Sequence, residues 1–505
     1  MSEKDSQSVD GRNRSTSTTG VGRRTFLQSI GAGGAAGALA GCSSMLGGDS
    51  GADGDSDADG DSGADGDSGA TLEWAAIYNE DETRQAMADA LYEAGLSEDI
   101  ELNIVALPDA NEGIQARYDQ WITSGESKPD LLTVDNGWTL PFIVREQLVN
   151  LNELLDDSMV STVKDDYFQS SVNTAQDPDT GDLYGVPLYP EPPTIQYRKD
   201  LAMEAGYDPD GENWATEPMT WQEFSQVAAD IHEQSDVEYA YITQGSASEN
   251  MSCCEFPEYF HSFGGSYFGG MDNLFGPVGD RPITVDEEPV IDSLRMARAM
   301  LHGSDAPETL DGYEKIMPQE TLSWDVVQTQ QLFESGDGAF TRQWMFGIPP
   351  AVEAFGAENV GVMPMPYAVE EGEGEYDGIG GSSPALGGWH VAMNPNSENE
   401  DAIIEFFEAM MQESFLLEQF SVEGVMPPNR EIFYSDATAD VEPTGRYVDA
   451  IGASLENAVP RPVTAVWQQE SQRISQRARA AHQVDNDPAE EMDELVGLLE
   501  EIENS

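Results

Sequence analysis

The chain has 505 residues, of which 39% are hydrophobic, so it can bury one or more cores and is not a globally disordered protein. It carries 95 acidic residues against 23 basic ones, for a formal net charge of -72. This anionic excess excludes the basic surface that binding to nucleic acid or to an anionic membrane surface requires.

The acidic residues are spread through nearly every surface-like stretch of the chain, a pattern that resembles proteins adapted to molar salt, as in haloarchaea. At about 1 M ionic strength the Debye length is about 3 Å, so repulsion among the carboxylates is largely screened. We therefore expect a halophilic protein, with an ordinary acidic protein as the alternative.

The first 41 residues are typical of an export signal. Arg23 and Arg24 precede a short run of Gly, Ala, Ile and Leu at 30–41, too short to span a bilayer. The arginine pair resembles a twin-arginine (Tat) signal, and residues 39–42 (LAGC) resemble a lipobox. We expect 1–41 to be removed, Cys42 to carry a lipid that anchors the protein to the outer face of the membrane, and the protein to lie outside the cell.

Residues 42–70 read as an acidic spacer. From 47 to 70 the chain repeats Gly, Asp, Ser and Ala without aromatic or branched aliphatic residues, so it cannot bury a core. The spacing of Asp57, Asp59 and Asp61 is reminiscent of a calcium loop, but Ser62 stands where that loop needs glycine and no glutamate closes it. We expect neither a metal nor a cofactor.

After residue 70, strand-like and helix-like stretches alternate. Strands are predicted at 71–78, 100–106 and 130–135, and helices at 81–94, 220–232, 289–301, 398–419 and from 488 onward. This alternation predicts an α/β fold with a mainly parallel sheet. Ligands bind beyond the carboxyl ends of such strands, where Glu80, Asp81, Asp135 and Trp138 would emerge.

Several short motifs follow one another in a specific order. They are residues 182–191 (DLYGVPLYPE), 197–201 (YRKDL), 219–224 (MTWQEF), 263–265 (FGG), 333–340 (FESGDGAF), 387–389 (GGW) and 461–462 (RP). From residue 72 onward the chain resembles the extracellular solute-binding proteins (family 1) of carbohydrate ABC transporters, in their trehalose/maltose-type branch.

The resemblance implies a two-lobed, periplasmic-binding-protein-like fold of type II, with a hinge and one ligand cleft between the lobes. It places lobe one at 71–187 and 377–421, and lobe two at 188–376 and 422–505. A binding protein of this kind is not an enzyme. Its expected partners are a carbohydrate and the transmembrane permease subunits of the importer, and we expect a monomer.

Sugars present flat C–H faces and many hydroxyls, so their sites combine aromatic rings with acids, amides and arginines. Trp389, after Gly387 and Gly388, matches a family position where tryptophan packs on a sugar ring. The resemblance favours this role over the alternative, a tryptophan of the core. Tyr189 and Glu191 match a hinge crossing that faces the cleft, and their alternative is a half-buried tyrosine and a loop acid.

Other candidates rest on weaker signals. Trp344 resembles a second stacking residue. Arg430 and Arg461 are rare cations that could grip adjacent hydroxyls, although ion pairing with the surplus acids is the alternative role. For Glu80, Asp81 and Asp135 the alternative is a solvated acidic surface.

The sequence departs from the family at two places. Pro192 and Pro193 replace the small residues expected after the crossing, and the pair Cys253 and Cys254 is unusual. For the cysteines we favour two small buried thiols over a strained vicinal disulfide.

A secreted carbohydrate-acting hydrolase is the main competing class. The chain has no Gly-x-Ser-x-Gly elbow and no His-Glu-x-x-His motif, and its five histidines lack metal spacing. Paired catalytic carboxylates cannot be recognised among 95 acids, so this class stays open. A binding protein for a peptide or an anion is the third possibility, and the scarcity of basic residues disfavours the anion.

Overall fold

The computed structural model of the protein describes residues 69–107, 111–374, 376 and 379–505. The predicted export signal, Cys42 and the spacer up to residue 68 lie outside the described residues. Among the described residues, no helix has both the length and the apolar composition that a membrane crossing needs.

The strands are β1 (Thr71–Ala76), β2 (Glu101–Ala106), β3 (Leu131–Asp135), β4 (Val186–Glu191), β5 (Thr194–Arg198), β6 (Tyr239–Ile242), β7 (Gly338–Gln343), β8 (Val360–Met363) and β9 (Gly387–Met393). They form a five-stranded first sheet, in the order β2-β1-β3-β9-β4, and a four-stranded second sheet, in the order β6-β7-β5-β8. The predicted early strands are confirmed to within a few residues.

The expectation of a mainly parallel sheet was wrong, because antiparallel pairings equal the parallel ones in the first sheet and outnumber them in the second. β1 runs parallel to β2 and β3, whereas β9 is antiparallel to both β3 and β4. The chain leaves this sheet at Glu191, builds the second sheet and returns at Gly387, which pairs with Glu191. Because β9 starts beside the last residue of β4, it has to run antiparallel to β4.

Helices surround both sheets. They are α1 (Asp81–Glu93), α2 (Asn111–Thr123), α3 (Thr139–Val144), α4 (Leu151–Leu154), α5 (Asp157–Asp166), α6 (Gln169–Ala175), α7 (Lys199–Glu204), α8 (Trp221–Gln234), α9 (Phe256–Ser262), α10 (Glu288–His302), α11 (Val326–Glu334), α12 (Ile348–Phe355), α13 (Glu400–Met410), α14 (Glu413–Glu423), α15 (Arg430–Phe433), α16 (Asp436–Ala439), α17 (Val448–Glu456), α18 (Trp467–Ala481) and α19 (Pro488–Glu503). A π-helical turn, Met251–Glu255, leads directly into α9.

Local contacts and backbone geometry explain where α8 begins and why one predicted helix is divided. α8 starts after Thr220, whose hydroxyl accepts a hydrogen bond from the backbone N–H of Glu223, and it buries Trp221, Phe224 and Ile231 on one face. The single helix predicted at 398–419 is two helices, α13 and α14. The backbone of Gln412 is extended, with φ -72° and ψ 142°, which interrupts the helix there.

Each sheet has its own core. The first sheet packs against α1, α13 and α14 through a cluster that includes Trp74, Met87, Phe406 and Phe415. The second sheet packs against α8 and α10 through a separate cluster. The predicted α/β, two-lobed fold is confirmed in class. The lobe boundaries stay a prediction, and β4 crosses the predicted boundary at 187/188 while remaining paired with β9 up to Glu191.

Candidate functional site

A cavity of about 370 Å³ lies between the ends of strands from the two sheets. We call it the tryptophan cavity. It is lined by Asp135, Glu191, Ser248, Glu249, Asn250, Cys253, Cys254, Val326, Trp344, Phe346, Gly387, Gly388, Trp389 and Arg461.

The first sheet supplies the side of the cavity that carries Trp389. In this sheet, Trp389 on β9 pairs with Asp135 on β3 and with Tyr189 on β4. The Trp389 side chain is half-buried and meets the ring of Trp138 edge-on, with 5.7 Å between the ring centroids. Gly388 has φ +129°, and a Cβ there would lie 2.5 Å from the carbonyl oxygen of Tyr189, so only glycine fits beside the tryptophan.

Glu191 lies where the chain leaves the first sheet. Its Oε1 atom is buried and has no hydrogen-bond partner among the described residues. Burial raises the pKa of Glu191 from 4.5 to about 7, and the backbone N–H of Phe346 and the guanidinium of Arg342 oppose this rise. Leaving a buried carboxyl oxygen without a hydrogen-bond partner costs free energy. A ligand hydroxyl that donates a hydrogen bond to Oε1 would remove this cost.

Trp344 enters the cavity from the end of β7 in the second sheet. The guanidinium carbon of Arg342 lies 4.5 Å from the centroid of the Trp344 ring, and Arg342 is held by the buried carboxylate of Glu258. A Cβ at Gly387 would come within 2.7 Å of the Trp344 ring. The ring is therefore fixed between the second sheet and a glycine of the first.

Arg461, from the segment between α17 and α18, connects acids on both sides of the cavity. Its guanidinium lies 3.0 Å from Oδ1 of Asp135, the last residue of β3 in the first sheet. It also lies 3.0 Å from Oε1 of Glu249, which comes after β6 of the second sheet. It also donates to Asn136 Oδ1 at 3.0 Å. Burial raises the pKa of Glu249, and the nearby Arg461 opposes that rise.

A second cavity of about 590 Å³, the glutamine cavity, adjoins the first, because Ser248 and Glu249 line both. Its lining is rich in amides and hydroxyls. It consists of Gln115, Asp119, Gly137, Trp138, Pro141, Arg145, Ala247, Ser248, Glu249, Thr464, Ala465, Trp467, Gln468, Gln469, Ser471, Gln472 and Ser475.

The structure brings many of the predicted site residues together. The predicted residues on the tryptophan cavity are Asp135, Glu191, Trp344, Gly388, Trp389 and Arg461. Trp138 lines the glutamine cavity instead. Tyr189 is buried in the core of the first sheet beside Trp389.

The remaining predicted residues lie away from both cavities. Glu80 and Asp81 are exposed at the start of α1, where Asp81 pairs with Arg84. Arg430 pairs with Glu456 at 2.7 Å on the surface, as its alternative role implied. A ligand-binding role for these three residues stays a prediction to which the geometry adds no support.

The expectation of two free thiols was wrong. Cys253 and Cys254 are bonded to each other as a vicinal disulfide, and both line the tryptophan cavity. The pair is unusual in the sequence, but no sequence pattern indicates a role for it. The cavity also includes residues that no motif marks and that only the fold brings there, namely Ser248, Glu249, Asn250, Val326 and Phe346.

Comparison with known proteins places the chain in a family. The profile of the bacterial extracellular solute-binding protein family matches residues 75–414. A probable ABC transporter-binding protein of Deinococcus radiodurans is 24% identical over 374 residues, which are 72% of this chain and 76% of that protein.

Solved structures with a similar fold include three sugar-related binding proteins. Maltose-bound MalE3 of T. maritima has a TM-score of 0.65 and 20% identity, covering 85% of this chain and 98% of its own. The GacH receptor of Streptomyces glaucescens has a TM-score of 0.66 and 18% identity, over 86% and 99%. The cyclic α-maltosyl-1,6-maltose binding protein of Arthrobacter globiformis has a TM-score of 0.65 and 19% identity, over 86% and 99%. The chain therefore belongs to the family of bacterial extracellular solute-binding proteins.

Proposed function

We propose that this protein is the carbohydrate-binding subunit of an ABC importer, which captures a di- or oligosaccharide outside the cell and delivers it to the permease. The observation that carries the proposal is the combination found in one cavity between the two sheets. Trp344 and Trp389 line it together with Glu191, whose buried Oε1 finds no hydrogen-bond partner among the described residues.

These groups suit the chemistry of sugars. The tryptophan rings offer flat apolar surfaces for the C–H faces of a pyranose ring. Glu191 and Asn250 offer hydrogen bonds to hydroxyl groups. Asp135 and Glu249 form ion pairs with Arg461, so they make a preorganised polar wall of the cavity. None of these acids has a catalytic role in the proposed function.

The adjoining cavities favour a ligand of more than one ring. Because Ser248 and Glu249 line both cavities, a molecule in the tryptophan cavity can continue into the glutamine cavity, where amide and hydroxyl groups would meet further hydroxyls. The solved relatives from T. maritima and S. glaucescens hold maltose and acarbose, which supports this class of ligand.

Delivery would follow from closure of the two lobes around the ligand. The permease could then recognise the closed, ligand-bound form and not the open, empty one. Closure needs contacts made only when the lobes approach each other. Trp344 from the second sheet and Trp389 from the first can both touch one ligand, so the ligand itself would stabilise the closed form.

A thermal-shift screen at molar salt tests the proposal. We expect maltose, maltotriose or trehalose to raise the midpoint of unfolding, since a ligand that binds only the folded protein at 100 times its Kd adds about 2.7 kcal/mol of stability. A dipeptide and inorganic phosphate serve as control solutes and should cause no shift. A shift with these controls alone would contradict the proposal, and release of smaller sugars from maltotriose would favour the hydrolase.

We also propose that the mature protein begins at a lipidated Cys42, which lies outside the described residues. The twin arginines and the LAGC motif support this. Mass spectrometry of the native membrane fraction should find an N-terminal peptide that starts at Cys42 and carries a lipid. An intact N-terminus, or an unmodified Cys42, would contradict the expectation.

A further inference from the structure

The vicinal disulfide occupies an unusual place in the tryptophan cavity. Cys253 and Cys254 lie in the π-helical turn between β6 and α9, and both line the cavity. Consecutive residues of a regular α-helix point about 100° apart, so they rarely line one cavity together. Here the wide turn and the bond between the two sulfur atoms place both residues on one wall.

The segments on either side of the pair are firmly held. Ser252 shares a hydrogen bond of 2.6 Å with Ser471 of α18, and its carbonyl oxygen accepts a hydrogen bond from the buried hydroxyl of Tyr267. On the other side, the carboxylate of Glu255 accepts a hydrogen bond of 3.1 Å from Tyr259. We expect these contacts to hold the backbone on either side of the pair in place when the bond is reduced.

We infer that the Cys253–Cys254 disulfide is a ligand-contacting element of the binding site, and that its reduction weakens binding. This inference rests on the proposed function. The disulfide closes a small ring with the intervening peptide, and it joins two almost wholly buried residues that line the cavity. Its sulfur atoms are polarisable and weakly hydrated. Like the rings of Trp344 and Trp389, such a surface suits the apolar face of a sugar.

Reduction would alter this surface through a balanced exchange. A dithiol such as dithiothreitol supplies two electrons and two protons, the S–S bond breaks, each cysteine gains a proton, and the dithiol becomes its own cyclic disulfide. The two thiol side chains can then rotate independently. Ordering them again in the complex costs free energy, so we expect affinity to fall by about threefold to tenfold.

Calorimetry with maltose and maltotriose tests the inference. The full chain with Cys42→Ser has only this cysteine pair, so dithiothreitol acts at one site. We expect weaker binding after reduction, with an unchanged far-ultraviolet circular dichroism spectrum. The matched control is the same chain with Cys253→Ala and Cys254→Ala, whose affinity should not respond to dithiothreitol.

A second measurement uses the unsubstituted cysteine pair, so it does not depend on whether a cysteine variant folds. If the ligand prefers the oxidised form, saturating maltose must make the disulfide harder to reduce, because the coupling is reciprocal. The freed thiols are trapped with iodoacetamide and counted by mass spectrometry. We expect maltose to lower the fraction trapped at a fixed ratio of reduced to oxidised dithiothreitol.

The outcomes separate the two proposals. If the reduced protein binds sugar with the same affinity as the oxidised protein, the inference is overturned and the proposed function stands. The same holds if maltose does not protect the disulfide from reduction. Loss of the fold on reduction would also overturn the inference, since the disulfide would then be needed for the stability of the fold and not for contact with the ligand. Failure of the oxidised protein to bind either sugar would contradict the proposed function and the inference together.

Discussion

Dialysis of the protein from molar salt into a buffer of about 0.05 M salt is expected to unfold it, and return to molar salt to refold it. The cause is the net charge of -72, carried by acids that lie largely on the surface of the described residues. At about 0.05 M salt the Debye length exceeds about 10 Å, so carboxylates on neighbouring helices repel one another, whereas at 1 M it is about 3 Å. Circular dichroism across a salt series measures the transition.

A charge-reduced variant tests whether screening is the cause. Glu408, Glu413 and Glu418 are exposed on α13 and α14, and replacing all three with glutamine removes charge at little cost in shape. The triple glutamine variant should stay folded at lower salt than the unsubstituted protein. Replacement of the same residues with aspartate keeps the charge and is the matched control. Equal salt midpoints for the two variants, or a fold that persists at about 0.05 M salt, would contradict the screening explanation.

The substitution Trp389→Ala is expected to weaken sugar binding by about tenfold to a hundredfold. A stacking contact of this kind contributes about 1 to 3 kcal/mol, and about 1.4 kcal/mol corresponds to one factor of ten in Kd. Trp389 also packs partly against the core of the first sheet, so the unfolding midpoint has to be recorded beside the affinity. Calorimetry at molar salt gives the Kd, and Trp389→Phe, which keeps a smaller ring, should lose less.

Two results would refute the stacking role. If Trp389→Ala unfolds the protein while Trp389→Phe binds normally, the residue belongs to the core. If the alanine variant is folded and keeps its affinity, the ring does not contact the ligand.

Glu191→Gln provides a companion variant that keeps the shape of the side chain and removes its charge. Its loss of affinity should be smaller than that of Trp389→Ala, and it should depend on pH. In the free protein, burial raises the pKa of Glu191 to about 7, so the group is largely protonated below that pH. Sugar hydroxyls that donate to the carboxylate favour its ionised form and lower this pKa. Affinity should therefore rise as the pH approaches about 7 and level off above it, and Glu191→Gln should show no such rise.

The order of motifs along the chain was enough to predict the family and the α/β fold. The early strands and α1 follow from local periodicity, and these elements formed close to their predicted bounds. The split between α13 and α14 could not be predicted in this way, since the apolar pattern continues through Gln412 while its backbone turns out of the helix. The antiparallel β9 was also missed, because its direction depends on where the chain returns from the second sheet.

The chemistry of the residues follows from the sequence: a strong excess of acids, tryptophans after glycine-rich or strand-like segments, and an unusual cysteine pair. Which of these groups meet depends on the fold. Asp135, Glu249 and Arg461 are far apart in the chain, and their contacts arise from the pairing of β3 with β9 and the placement of the segment before α18. Bonding of Cys253 to Cys254 likewise depends on the conformation of one π-helical turn packed against α18, and a sequence pattern does not encode side-chain geometry of that kind.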